Sequence, residues 1–274
     1  MLRYIFRQKQ SKASEYEKKP ARILPADSPI TLAYQGPGPY LATVSPDSCR
    51  SNYFGWLASE NPFVKTLREG KLEYNESLLK RFYDSHQYAT LGDLFQISES
   101  RISTAPAMAA VMPWWHVTPE ERLARVACLN DSNRYLGKEA IQFGAQKSDY
   151  GWQYFGPVSP RVGEAEFKRQ LKVYKSIQEM GYQPSSLLDI HGEFLVSQGD
   201  WCWVNLGGKH RFNSLVALGN KEITIAVTGK YGPLITRAED AEHWPNVRNG
   251  NFTTKDALSI FFRILSGQNL NVPI

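Results

Sequence analysis

A glycine turn followed by basic residues holds the most reactive side chains of this sequence. Two adjacent glycines let the backbone turn tightly and let a ligand approach it closely. Arg211 to Leu218 then shows the apolar spacing of a short helix. Backbone N–H groups at a helix N-terminus point outward from the positive end of the helix dipole, which favours a bound anion. The candidate ligands of such an anion are Gly207, Gly208, Lys209, His210, Arg211, Asn213 and Ser214.

The spacing of these residues leaves two interpretations open. The glycine turn, our name for residues Gly207–Arg211, is either an anion-binding site or a solvated surface turn. Flanking strands must position it: Trp201 to Leu206 and Ile223 to Val227 are rich in apolar, aromatic and β-branched residues. Gly219 is placed to end the helix between them. The sequence therefore predicts a strand–turn–helix–strand unit around the glycine turn.

The segment upstream predicts a long amphipathic helix followed by two short strands. Apolar residues recur at helical intervals over Glu164 to Met180, and Gly181 ends that pattern. Leu187 to Ile190 is a predicted strand, Gly192 a predicted turn, and Phe194 to Val196 a second short strand.

The first half of the chain carries weaker patterns. Prolines and glycines over residues 23–60 indicate an irregular arm with little helix. Asn75 to Tyr83 begins with a good N-cap residue and carries an apolar helical face, and Ala89 to Ile97 indicates a further short helical turn. Capping boxes at Thr118–Glu121 and Thr253–Asp256 each predict a helix start.

Reactive side chains outside the glycine turn give fewer signals. His116 follows two tryptophans, a pattern that suits either a base or stacking site, or a histidine packed in a loop. The three cysteines, Cys49, Cys128 and Cys202, are widely spaced and odd in number. They predict reduced thiols in a cytosolic setting, with neither a disulfide framework nor a metal site.

Composition predicts a folded chain that does not cross a membrane. Hydrophobic residues make up 42% and aromatic residues 12% of the 274 residues, values that disordered chains do not reach. No apolar run of about 18 residues occurs, so no transmembrane helix is expected. The first residues, MLRYIFRQKQSK, lack the long apolar segment of a secretory signal.

The net charge of +5 belongs to one end of the chain. Residues 1–22 hold seven of the 32 Lys and Arg residues and two of the 27 Asp and Glu residues, so the rest is balanced. A balanced body argues against nucleic-acid binding, which needs clustered phosphate contacts. The basic segment is either a solvated tail or a peripheral membrane contact. We therefore expect a cytoplasmic protein, with the inner membrane surface as a second location.

The order of parts from Tyr174 to Val227 resembles the ParB/sulfiredoxin superfamily. The shared pieces are a helix that ends with Ser176-Ile177 before a glycine, the Gly-Lys-His-Arg stretch of the glycine turn, and Ala217-Leu218-Gly219 ahead of the second strand. The whole layout is also similar to uncharacterised proteins encoded among bacterial surface-polysaccharide genes. That likeness rests on residues 156–160 (GPVSP), residues 244–245 (WP) and the terminal helix.

The resemblance implies a small α/β fold (α+β) with a mixed sheet that binds a nucleotide. Residues 151–274 would be the nucleotide-binding unit, residues 23–150 an N-terminal extension of mixed structure and residues 1–22 a basic tail. The glycine turn would hold the phosphates of ATP or another nucleotide, with His210 and Arg211 stabilising charge on the transferred group. Asn213 and Ser214 would contact phosphate or Mg²⁺, and no protein metal site is implied.

Departures from the family pattern separate its branches. Lys209 stands where sulfiredoxin carries its reactive cysteine, which argues against that chemistry. Only residues 228–274 follow the second strand, too few for the DNA-binding domain of the partition proteins. A kinase-like member needs a carboxylate for the acceptor hydroxyl. Glu164, Glu166 and Asp189 are the candidates, and solvated residues favoured by a helix dipole are the alternative for the glutamates.

These features predict a nucleotide-dependent phosphotransferase that acts on a hydroxyl of a small molecule or sugar, in cell-surface polysaccharide synthesis. The alternative is a non-catalytic nucleotide-binding module that regulates or contacts a partner, and a DNA-binding protein is a distant third. The leading hypothesis predicts that His210→Ala or Arg211→Ala abolishes nucleotide turnover while the fold survives.

Overall fold

Seven strands form one mixed sheet that joins the N-terminal arm to the second half of the chain. The computed structural model describes residues 23–24, 31, 40–51, 54–131, 158–184, 189–227 and 232–268. Its strands are β1 (Ile23–Leu24), β2 (Tyr40–Val44), β3 (Cys49–Ser51), β4 (His191–Ser197), β5 (Asp200–Gly207), β6 (Ile223–Val227) and β7 (Ile235–Arg237). Together with the helices described below, this sheet confirms the predicted α/β class.

The β4–β5 hairpin, which leads into the glycine turn, lies inside the sheet between β6 and β3. The strand order is β1-β2-β6-β4-β5-β3. β7 also pairs with β4, at residues that follow the ones paired with β6. β4 is antiparallel to β5 and β2 is antiparallel to β6. The β1–β2, β3–β5, β4–β6 and β4–β7 pairs are parallel. The glycine turn thus leaves the sheet at the end of a strand that has neighbours on both edges.

Helices cover the sheet on both faces. The described helices are α1 (Pro62–Glu69), α2 (Leu78–Ser85), α3 (Leu91–Phe95), α4 (Pro119–Asp131), α5 (Pro160–Met180), α6 (Lys209–Ala217), α7 (Pro245–Arg248) and α8 (Thr254–Ser266). Short 3-10 helices lie at Pro46–Ser48, Ala58–Glu60, Tyr74–Glu76, Arg101–Thr104, Ala107–Ala109 and Ala238–His243. No helix in the described ranges is long and apolar enough to cross a membrane.

Alternate residues of the central strands face two separate cores. Phe194 and Trp203 lie in a core with apolar residues of α6. Leu195, Cys202 and Val204 face the other way, into a core that contains α8 and the helices between residues 54 and 115. This alternation is the period of two that a strand imposes on its side chains. Because both faces are buried, the register of β5 is fixed, and with it the position of the glycine turn.

Capping groups set the helix starts more sharply than apolar spacing does. α5 begins four residues before its predicted start, because the Ser159 hydroxyl accepts the Val162 N–H and Pro160 occupies the first turn. Gly181 ends α5 with a φ of 74°, as predicted. Thr118 and Glu121 form the predicted capping box at the start of α4.

Two capping predictions need correction. Ser77, not Asn75, caps α2, since its hydroxyl accepts the Lys80 N–H. Thr253 caps α8 as predicted by accepting the Asp256 N–H. The capping box there is incomplete, because the Asp256 carboxylate accepts hydrogen bonds from Ser100 instead.

The strands before the glycine turn also differ from prediction. Residues 185–188 lie outside the described residues, Asp189 and Ile190 form a bend, and β4 starts at His191. Gly192 lies inside β4 and is not a turn. A Cβ there would collide with the backbone oxygen of Val204 on the neighbouring strand, so the close approach of two strands explains this glycine.

The predicted irregular arm contributes β1, β2 and β3, which pair with β6 and β5. The sheet therefore takes strands from both sides of the domain boundary predicted at residue 150, and that boundary stays a prediction. The basic segment 1–22, most of the arm before residue 40 and the Cys128 side chain lie outside the described residues. Cys49 and Cys202 are buried free thiols.

Candidate functional site

The glycine turn is held open by backbone geometry that only glycine tolerates. Gly208 is the N-cap of α6 with φ 70° and ψ 25°, in the left-handed region, and it offers no capping side chain. A Cβ at Gly208 would collide with the backbone oxygen of Asp189, and a Cβ at Gly207 would collide with the His191 ring. The turn therefore packs directly on the residues that precede β4.

Helical spacing distributes the side chains of α6 over three directions. Lys209 and Asn213 are four residues apart and line a cleft beside the sheet. His210 and Ser214, also four apart, are buried against α5. Arg211 lies between them with a half-exposed side chain. The residues predicted to bind one phosphate group are thus divided among three surroundings.

A buried acid–base pair joins α5 to α6. Glu166 Oε2 lies 2.9 Å from His210 Nε2, and both side chains are less than one-tenth exposed. The two atoms are close but do not have the angular geometry of a hydrogen bond. Arg169 Nη1 lies 3.8 Å from the other Glu166 oxygen. The predicted catalytic residues Glu166 and His210 are therefore together, but inside the helix–helix contact.

Ser214 strengthens the same contact. The Gln170 amide donates to the His210 carbonyl and to Ser214 Oγ, each at 3.0 Å, while Ser214 Oγ donates to the His210 carbonyl at 2.8 Å. Ser214 is fully buried. Its oxygen thus serves the packing of α6 on α5 and does not face the open side of the glycine turn.

His210→Ala is expected to lower the free energy of unfolding by about 1–3 kcal/mol, because it leaves the Glu166 carboxyl buried without its partner. This differs from the sequence-based prediction that the fold survives this change intact. Urea denaturation of the variant measures the loss. His243→Ala, at an exposed histidine, is the matched control and should leave the midpoint unchanged. Equal midpoints for the two variants would contradict a stabilising Glu166–His210 pair.

Asp189 and Arg211 form the accessible part of the site. Arg211 Nε lies 3.7 Å from Asp189 Oδ2, with the arginine side chain 42% exposed and the aspartate side chain 8% exposed. The pKa of neighbouring Tyr182 is raised to about 12, by burial first and then by Asp189, while Arg211 acts to lower it. The guanidinium therefore reaches solvent at the glycine turn while its carboxylate partner is sheltered.

Glu164 lies elsewhere. Its carboxylate is 2.7 Å from Lys168 Nζ, four residues on, and both side chains are half exposed. It also raises the pKa of Tyr74, after burial and Asp84 in order of effect, which places it on the side of α5 toward α2. Of the three candidate carboxylates, Asp189 is the one paired with an exposed basic group of the glycine turn.

A polar cleft opens beside the first turn of α6. We name it the Asn205 cleft; its empty volume, counted to the open mouth, is about 420 Å³. Buried aromatic rings of Trp56, Phe63 and Phe212 form its walls. Its polar lining consists of Arg50, Ser51, Asn61, Asn205, Lys209 and Asn213.

Two residues of this cleft escaped the sequence predictions, Asn205 and Arg50. Asn205 lies on β5 opposite Ser51 of β3. Arg50, the residue before Ser51, pairs with Val204, so its side chain leaves the strand toward the other face of the sheet, where α8 lies. Arg50 Nη1 donates to the Asp47 and Cys49 carbonyls at 2.7 and 3.0 Å, and Nη2 donates to the Leu265 carbonyl at 3.3 Å. A polar asparagine inside an otherwise apolar strand was the available signal for Asn205. For Arg50 no local pattern existed.

A second buried carboxyl lies on the opposite face of the sheet. Glu193 Oε1 accepts hydrogen bonds from Trp114 Nε1 at 2.7 Å and Trp115 Nε1 at 3.1 Å, and Oε2 has no hydrogen-bond partner among the described residues. Burial raises the pKa of Glu193 to about 7, and the two indole N–H groups oppose this rise. His116 itself is exposed, so it is not a histidine packed in the loop, and its interpretation as a base or stacking site stays a prediction.

No group of three or more His, Cys, Asp or Glu side chains that could hold a metal ion occurs in the described part of the chain.

Comparison of the chain with protein-family models, curated proteins and solved structures found no match. The resemblance to the ParB/sulfiredoxin superfamily stays a prediction. The α/β class rests on the sheet and helices of the structure itself.

Proposed function

We propose that this chain is a nucleotide-dependent phosphotransferase that acts on a hydroxyl group of a small molecule or sugar. The observation that carries the proposal is the half-exposed Arg211 guanidinium beside the glycine turn, with the Asp189 carboxylate 3.7 Å away. Phosphoryl transfer needs fixed positive charge at the phosphate and a carboxylate that receives the proton of the attacking hydroxyl. Both kinds of group lie together at the N-terminal end of α6.

The glycine turn supplies what phosphate groups of ATP or another nucleotide require. Gly208 lets the backbone approach a ligand without a side chain in between, and the N-terminal end of α6 favours negative charge. Lys209 and Arg211 add positive side chains on its two open sides. Mg²⁺, when bound to the phosphates, would neutralise part of their charge.

The proposed reaction forms one oxygen–phosphorus bond and breaks another. The acceptor oxygen forms a bond to the terminal phosphorus, and the bond from that phosphorus to its bridging oxygen breaks. The electron pair of the broken bond leaves with the nucleoside diphosphate, and the hydroxyl proton passes to Asp189. Arg211 stabilises the charge that develops on the phosphoryl oxygens.

Arg211→Ala is expected to lower kcat/KM for the nucleotide by about 10²-fold, because a positioned positive donor is lost from the transition state. Arg211→Lys should restore part of that loss, since lysine keeps the charge but not the planar fork. Nucleoside diphosphate release and mass spectrometry of the acceptor measure the reaction. Arg237→Ala, at an exposed arginine paired with Glu239, is the matched control. Unchanged turnover in Arg211→Ala would refute the proposal.

A non-catalytic nucleotide-binding module is the second candidate, and the burial of Glu166 favours it. Of the predicted bases, Glu166 is enclosed with His210 and Glu164 faces away with Lys168, so Asp189 alone would have to act. A thermal-shift panel of ATP, ADP, CTP and GTP with Mg²⁺ detects binding in either case. Stabilisation without any phosphorylated product, across a panel of hydroxyl acceptors, would favour the module.

A further inference from the structure

The polar lining of the Asn205 cleft has hydrogen-bond donors to offer, while its acceptors are occupied or enclosed. Ser51 Oγ accepts from the Trp56 backbone N–H at 3.1 Å, and Asn61 Oδ1 accepts from the Phe63 N–H at 2.9 Å. Both side chains line the cleft and keep their own O–H and N–H groups to donate. Asn205 Oδ1 is enclosed by protein atoms, so a group in the cleft does not reach it.

Asn213 is a buried polar side chain of the cleft whose partner must come from the cleft itself. The residue is 2% exposed and lies one helical turn after Lys209 on the side of α6 that lines the cleft. Its carboxamide makes no hydrogen bond within the described part of the chain. Buried polar groups are almost always hydrogen-bonded, so a bound group that accepts from the Asn213 NH2 would complete this site.

The charge in the cleft is positive. Lys209 lines it at the N-terminal end of α6, where the N-cap residue, Gly208, supplies no capping side chain. Among the described residues that line the cleft, none is an aspartate or glutamate. The guanidinium of Arg50 is not counted, because it donates to the Leu265 carbonyl on the other face of the sheet.

These donors and this charge select the kind of group that the cleft holds. An ammonium group only donates hydrogen bonds and would be repelled by Lys209. A neutral hydroxyl accepts, but it brings no charge to offset that of Lys209 and the helix end. An oxyanion only accepts, and charge-assisted hydrogen bonds are the stronger kind. The enclosed part of the cleft admits an atom group about the size of a water molecule, so one oxygen of a carboxylate or phosphate fits there.

We propose that the Asn205 cleft is an anion-binding subsite that takes one carboxylate or phosphate group of a small-molecule ligand. This subsite does not depend on the proposed phosphotransferase reaction, because Asp189 and Arg211 are not among the residues that line the cleft. The anionic group has two possible sources, the phosphate chain of a nucleotide or an acidic group on the acceptor. The experiment separates them.

Asn213→Asp and Lys209→Gln test the subsite, because the first adds a negative charge at nearly constant volume and the second removes a positive one. The probes are inorganic phosphate, glycerate, glycerol 3-phosphate and ATP, titrated into the full chain and followed by NMR. At least one probe should bind, and each variant should weaken its affinity about 10-fold or more. Asn220→Asp and Lys221→Gln, at exposed residues beyond the other end of α6, are the matched controls and should leave the affinity unchanged.

Asn213→Leu separates binding from a structural role of the asparagine. It should weaken the same probe while the melting temperature stays equal or rises, since a buried carboxamide without a protein partner is removed. A purely structural asparagine would lower the melting temperature and leave the affinity for the probe unchanged.

The probes also identify the source of the anionic group. Weakened binding of ATP alone assigns the cleft to the nucleotide, and weakened binding of glycerate or glycerol 3-phosphate assigns it to the acceptor. Anion binding that depends on Asn213, together with unchanged turnover in Arg211→Ala, would refute the phosphotransferase and leave the subsite standing. No binding of any probe, or affinities in Asn213→Asp and Lys209→Gln equal to those of the parent, would overturn the subsite.

Discussion

Gly208→Ala is expected to lower the free energy of unfolding by about 3 kcal/mol and to abolish stabilisation by nucleotide. A left-handed conformation costs an ordinary residue about 1–2 kcal/mol, and overpacking adds about 1–3 kcal/mol. The added methyl group would collide with the backbone oxygen of Asp189, which belongs to main chain and cannot rotate away. Asp189 would therefore move, and its pairing with Arg211 would be lost together with the geometry of the turn.

Gly219→Ala is the matched control for this variant. Gly219 follows the other end of α6 and also has a positive φ, of 83°, but a Cβ there meets nothing within 4 Å in the described part of the chain. Gly219→Ala should lower the free energy of unfolding only by the cost of the left-handed conformation, about 1–2 kcal/mol, and should leave nucleotide binding intact. Denaturant unfolding and thermal shift with ATP measure both effects. If the two variants lose equal stability, the contact of Gly208 with Asp189 does not hold the turn.

Local pattern predicted the elements around the glycine turn because each is set by neighbouring residues. The bounds of β6 match the predicted strand, and β5 extends the predicted Trp201–Leu206 by one residue at each end. The predicted helix after the turn starts two residues earlier, at Lys209, because Gly208 takes the N-cap position. The apolar stripe of α5 and its glycine end were likewise readable from helical spacing.

Pairing between strands that are far apart in the sequence determines features that local sequence patterns could not predict. β3 is three residues long and follows a proline-rich arm, so its strand character depends on its pairing with β5. Through that pairing Ser51 lies opposite Asn205, and a cleft forms that no sequence window contains. Glu193 and the tryptophan pair at 114–115 meet in the same way.

The sequence identified the candidate site residues by residue type, but it did not predict the directions in which their side chains point. Consecutive helical residues point about a quarter turn apart, so neighbours in the sequence serve different surroundings. His210 therefore faces α5 while Lys209 faces the cleft and Arg211 faces Asp189. The sequence placed Glu164 and Glu166 equally near the site, and only the packing of α5 on α6 separates them.

Glu193 is expected to make the protein less stable as pH rises from about 4.5 to about 7. The pKa of this carboxyl rises from an ordinary value of 4.5 to about 7, because burial disfavours its charged form. Since the folded state binds the proton more tightly, the stabilisation is complete below pH 4.5 and is lost as pH rises through 7. The group's contribution to the free energy of unfolding should change by roughly 3 kcal/mol over this range.

Glu193→Gln isolates this contribution because glutamine keeps an oxygen that accepts from both indole N–H groups but has no charge to gain. The variant should match the parent near pH 4.5 and be more stable above pH 7, by up to roughly 3 kcal/mol. Cys202, which interacts with Glu193, does not interfere, since burial raises its own pKa to about 12. Denaturant unfolding from pH 4.5 to 8 gives the difference curve.

Glu239→Gln is a control, because the contribution of Glu239 to stability has the opposite pH dependence. The backbone N–H of Glu239 itself, followed by the Gln198 N–H, Arg237 and Ser197, holds the pKa of this exposed carboxyl below its ordinary value, against the opposing effect of burial. Its stabilisation is present above that ordinary value and is lost as pH falls.

Indole N–H resonances of Trp114 and Trp115 should shift with an apparent pKa near 7 in the parent and not in Glu193→Gln. If the indole N–H chemical shifts do not change with pH, and the plots of stability against pH are parallel for the parent and Glu193→Gln, then Glu193 does not titrate in this range.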